Sequence, residues 1–167
     1  METRHAGIFL LMAAVFALPM GAQNPQRGTL KGLQSVGVRL EASESDAKLI
    51  DRSALRTIAE LRIRQNGIKV PDTIEGVAGR PQLIIRFAFY DVSKSTGGRT
   101  GGYAVSVECM LEQDVHLDRN RSWAKAVTWS ALVIATTNSD VIGEHSERMT
   151  SKLVDEFVND FLAENPR

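Results

Sequence analysis

Asp114, His116 and Asp118 stand at alternate positions of one segment, with Glu108 and Glu112 behind them, in a chain of 167 residues. Side chains two apart on a strand project from the same face. Histidine with carboxylates is a donor set that suits zinc or manganese. The spacing is therefore that of a metal-dependent hydrolase candidate. Charged alternation is also what a solvated strand face looks like, and Arg119 and Arg121 are close enough in sequence to pair with the acids. The solvated face is the reading preferred here. A bulge at Gln113, where a polar side chain interrupts the apolar alternation, would also end the shared facing of Glu112 and Asp114.

Other chemistry is thinner. Cys109 is the only cysteine, so no intrachain disulfide is available. It alternates with Val105, Val107 and Leu111, which points it inward as a buried structural thiol. His145 sits beside Glu144 and Glu147 in the first turns of the last helix, and no serine stands in a nucleophile elbow, since Gly-x-Ser-x-Gly is absent. The Ser93–Gly102 loop, rich in Gly, Ser and Thr, invites a phosphate-binding reading through Lys94 and Arg99. A nucleotide loop, however, joins a strand to a helix and ends in Lys-Ser/Thr. This one joins two strands, and reads as a hairpin connection. Asn120-Arg121-Ser122 matches the N-glycosylation pattern, which has meaning only in a eukaryotic secretory pathway. No cofactor is expected.

The elements that carry these residues follow an apparent export segment. Arg4 and His5 precede an apolar run from Ile8 to Leu18, Pro19 ends it, and Met20-Gly21-Ala22 offers cleavage before Gln23. That is the layout of a secretory signal peptide. The run falls short of the roughly 20 residues of a membrane-spanning helix. Residues 1–22 are expected to be removed, with retention as an N-terminal anchor the alternative, 23–32 to form a flexible leader, and 33–165 to fold as a single domain. The expected address is periplasmic or secreted, with no membrane span in the mature chain. Lys and Arg number 20, as do Asp and Glu. Such a balance disfavours a nucleic-acid partner, which calls for a basic excess or face.

Within the domain, Val36, Val38, Leu40 and Ala42 alternate with polar residues as a half-buried strand. Ser43 to Asp46 offer capping oxygens. Ile50, Ala54, Ile58 and Leu61, with Leu55 beside them, have helical spacing, and Asn66-Gly67 is a stop signal. Ile68 to Val70 reads as a short strand ended by Pro71. Leu83, Ile85, Phe87 and Phe89 form the third strand. Tyr103 to Leu117 form a fourth that would approach 50 Å at about 3.3 Å per residue, hence the expected bend. After the turn Asp118–Arg121, Val127, Trp129, Ala131 and Val133 share one face of a fifth. A closing helix starts near Asp140 with Met149, Leu153, Phe157 and Phe161 on its apolar stripe. The fold expected is α+β: a two-layer sandwich with one mixed, mostly antiparallel sheet of about five strands, in the order β-α-β-β-β-β-α with one short strand, and two helices on one face.

The opposite sheet face is more apolar than solvent alone explains. Ile84, Ala88 and Tyr90 share parity there with Met110, Leu132 and Ile134. These six are the candidate partner-binding residues, for an unidentified protein partner or a second copy in a homodimer. Cover by the N-terminal leader, or scattered surface apolars, is the plainer reading of the same residues.

In its signal segment, its strand-helix-strand opening and its closing helix after three long strands, the chain resembles small exported bacterial α/β domains of envelope machinery. The N-terminal domain of TolB and the periplasmic part of curli-secretion lipoproteins are of this type. Glu60-Leu61-Arg62-Ile63-Arg64-Gln65-Asn66-Gly67-Ile68 and Leu153-Val154-Asp155-Glu156-Phe157-Val158-Asn159-Asp160-Phe161-Leu162 are also similar to segments of uncharacterised exported bacterial proteins. The resemblance implies assembly or binding, with no catalytic residues to carry across. The chain departs from lipoprotein members in having no cysteine at the cleavage point. The function expected is a non-catalytic exported domain that binds a protein partner or assembles in the cell envelope. The alternatives are the metal-dependent hydrolase and a small-ligand-binding periplasmic module.

Overall fold

A four-stranded sheet in the order β1-β2-β3-β4 carries both helices on one face. The computed structural model describes residues 26–92 and 101–166; the signal segment and the residues Lys94 and Arg99 lie outside them. The strands are β1 (Gly37–Glu41), β2 (Gln82–Asp91), β3 (Gly102–Leu117) and β4 (Ser122–Asn138), and the helices are α1 (Arg52–Gln65) and α2 (Ile142–Glu164). β1 pairs with β2 in parallel, and the other two pairings are antiparallel. The fold is the expected α+β sandwich, with four strands rather than five among the described residues.

The strand expected at Ile68–Val70 contracts to a single parallel bridge, Ser35 to Lys69. Pro71 is the reason. It has no N–H to give and a fixed φ, so the ladder stops one residue after it starts.

Register sorts the residues into two faces. Val38, Leu83 and Leu111 lie side by side, as do Leu40, Ile85 and Cys109, and β4 adds Trp129 and Ala131 to these rows. That face packs against Leu55, Ala59 and Ile63 of α1 and against Met149, Leu153, Val154, Phe157, Val158 and Phe161 of α2. Trp129 anchors it. Its indole Nε1–H donates to Asp160 Oδ2 at 2.9 Å, and its ring meets Phe157 edge-on at 5.3 Å. The buried indole thus has its polar partner.

The α1 stripe differs from expectation. Leu55, Ala59 and Ile63 face the core, whereas Ala54 and Ile58 are half-buried and Leu61 is exposed. Both sets have helical spacing, and the docking angle against β1 and α2 chooses between them. The helix also starts later than the Ser43–Asp46 cap implied. Ser43 Oγ instead accepts from the Asp46 N–H in a preceding turn. The actual cap is Asp51, whose Oδ1 accepts from the amides of Ser53 and Ala54 and from Ser53 Oγ. These bonds, the Ala54 amide first, hold its carboxyl below the ordinary value. The stop is as read. Gly67 takes φ 81°, its N–H donates to Arg64 O, and the Ile68 N–H reaches back to Ile63 O, a Schellman termination.

Residues 26–32, read as part of a flexible leader, are docked. Leu30 is buried beneath α2, and Asn165 at the end of α2 ties down Leu30 O and the Gly32 N–H.

Candidate functional site

The bend in the long ribbon decides which side chains reach the outer face. It lies where expected along β3, but the extra residue is on β4. Leu111 pairs with Trp129 and Glu112 with Val127, leaving Thr128 unmatched. Gln113 explains the choice: its Nε2 donates to Thr128 Oγ1 at 2.7 Å, so the polar pair satisfies itself at the bulge. A one-residue offset reverses facing for everything beyond it. Val127, expected on the core face with Trp129, is therefore exposed on the outer one. Trp123 joins it there, stacked edge-on against His116. Sequence reasoning missed both. Lys125 was the available signal: it shares parity with Trp129, and unbroken alternation would have put a charge in the core.

All six candidate partner residues lie on the outer face, in two groups. Ile84 and Met110 are direct cross-strand partners and are only 2% and 5% exposed; they are structural floor rather than contact surface. Next to them runs an ionic ladder, Arg39–Glu41 at 2.8 Å, Arg86–Glu41 at 3.0 Å and Arg86–Glu108 at 3.5 Å. Beyond the ladder the surface is apolar and open. Tyr90, Leu132 and Ile134 are 63%, 56% and 72% exposed, and Ala88 is exposed too. Ala88, Ser106 and Ile134 form one row, Tyr90, Ala104 and Thr136 the next. The small residues Ala104 and Ser106 on β3 thus make a trough between Tyr90 on one side and Leu132 and Ile134 on the other. Two strand spacings set the ridges about 10 Å apart, close to the width of a helix.

The alternative metal set is only partly brought together. His116 Nδ1 and Asp118 Oδ1 are 3.5 Å apart, but Asp114 is taken by Arg80 at 2.5 Å. Glu112 pairs with Lys125 at 3.1 Å and Glu108 with Arg86. Among the described residues, no three His, Cys, Asp or Glu side chains converge on a common point. Cys109 is fully buried, and burial drives its thiol far above the ordinary range, with the Glu156 carboxylate adding to the rise. Such a thiol is not a nucleophile.

No protein-family model matches the chain, and no curated protein matches it. Among solved structures, it is similar to a PelC dodecamer from Paraburkholderia phytofirmans, at 18% identity and TM-score 0.43, over 77% of this chain and 87% of that one. It is similar to rare lipoprotein B from Shewanella oneidensis at 13% identity and TM-score 0.41, over 76% and 94%. A minor lipoprotein from Acinetobacter baumannii gives 9% identity and TM-score 0.32, over 76% and 95%. Likenesses at this level assign no activity. Among the described residues, no helix is long and apolar enough to cross a membrane.

Proposed function

We propose that the chain is a non-catalytic exported domain of the cell envelope that binds a protein partner through the outer face of its sheet. The observation that carries this reading is the trough floored by Ala104 and Ser106, with Tyr90, Leu132 and Ile134 exposed along its sides. A protein that buried nothing there would leave three large apolar side chains in water on a face already freed from the helices. Export rests on the arrangement of Arg4, the Ile8–Leu18 run and Pro19.

The test is a photo-reactive residue placed at Ile134 in cells, with the same residue at exposed Glu147 of α2 as control. The Ile134 position should give discrete crosslinked species and the control none. Tyr90→Asp and Leu132→Asp should each weaken capture while thermal unfolding stays in place. Equal capture by parent and variants, or equal crosslinking from Glu147, discards the outer face as the binding surface.

A further inference from the structure

We propose that the open edge of β1 receives an extended acidic segment of a protein partner, which adds to the sheet as a further strand. The surface is separate from the trough and does not rest on it. Backbone groups of a strand alternate in direction. The Gly37 N–H donates to Pro81 O at 3.0 Å, on the β2 side, and the Val36 N–H donates to Lys69 O at 2.9 Å, on the other. Val38 and Leu40 therefore turn their backbone groups away from β2, where the sheet has no further strand among the described residues; of these groups Leu40 O already accepts from Arg52. Lys69 follows this edge for one bridge, and Pro71 then carries the chain off it. Among the described residues, no strand takes the positions where it would continue.

What remains is a groove of about 710 Å³ along the edge. Arg52 and Arg56 of α1 wall one side, and Asp72 and Ile74 the other. The second wall is held in place by Gly37. A Cβ there would lie 2.6 Å from Ile74 Cγ2, so only glycine lets that wall come so near.

Charge selects the occupant. Arg39, Arg52 and Arg56 line the groove against one acid, Asp72. Arg39 and Arg56 already have Glu41 and Glu60 at 2.8 and 2.7 Å. Arg52 donates to Leu40 O at 3.1 Å and, among the described residues, has no carboxylate partner. An incoming carboxylate would complete it by a charge-assisted bond. A second copy offering the same edge would bring a second Arg39, Arg52 and Arg56 to the groove, and like charges across a pairing oppose it. Main-chain bonds supply the affinity of such strand addition, and the side chains its selectivity.

The experiment uses a pool of eight-residue peptides that alternate Val or Thr with Asp or Glu, and the same pool with Lys in place of the acids. Hydrogen exchange on the full chain should show the Val38 and Leu40 amides slowed by the acidic pool alone. Arg52→Gln keeps a donor for Leu40 O but loses the charge, and should weaken binding by about tenfold, with the parent's affinity falling as salt is raised. Arg52→Glu should abolish it. Leu132→Asp should leave it unchanged, which separates this edge from the trough. The proposal fails if neither amide slows, if the Lys peptides bind as well, if Arg52→Gln binds like the parent, or if protection falls on β4.

Discussion

The two faces of the sheet are built from the same strands and do opposite things. On the helix side, Val38, Leu83, Leu111 and Trp129 lie in adjacent register and are sealed by α1 and α2. On the other, Tyr90, Leu132 and Ile134 stand in solvent around a floor of small residues. The lesson is that apolar character alone does not mark a core. Cover does. Where α2 lies over Trp129 the apolar area contributes stability, and where none of the described residues covers Ile134 the same chemistry is available to another molecule.

Substitutions can break this contrast, beginning with the largest effect. Phe157→Ala removes a fully buried ring from beside Trp129, and urea unfolding should show a loss of about 3–5 kcal/mol. A loss under 1 kcal/mol would mean that α2 does not seal the inner face. Thr150→Val should act in the other direction. The Thr150 hydroxyl is buried with no hydrogen-bond partner among the described residues, and an isosteric methyl should raise stability by about 1 kcal/mol. The smallest effect is expected outside: Ile134→Thr should stay within about 0.5 kcal/mol of the parent. A larger drop there would mean that the outer face is already covered within the chain, and the contrast would collapse.

Much of this layout was legible in the residues. Period-two alternation placed β2 and β3, because each has one buried face and a side-chain period of two. The Met149–Phe161 stripe placed α2, and Asn66-Gly67 placed the end of α1. What escaped has a common cause. The position of the extra residue at Thr128, the choice of Leu55, Ala59 and Ile63 over Ala54, Ile58 and Leu61, and the docking of Leu30 depend on contacts distant in sequence. Local pattern constrains facing along an element, not which of two acceptable faces a neighbour will meet. The candidate site shows the same limit. All six outer-face residues were legible from parity, but the burial of Ile84 and Met110 was not, and the bulge alone brings Val127 and Trp123 to that side.

Cys109 gives the folded chain a clock of its own. A maleimide can reach this sulfur only when the sheet and the helix layer part, so the rate at which it is consumed reports how often they do. Labelling in native buffer should lag behind labelling in concentrated urea by orders of magnitude. Phe157→Ala should close much of that gap, and Ile134→Thr none of it. In an oxidising compartment, the same seclusion would spare finished molecules from being linked in pairs, leaving the risk to chains still unfolded.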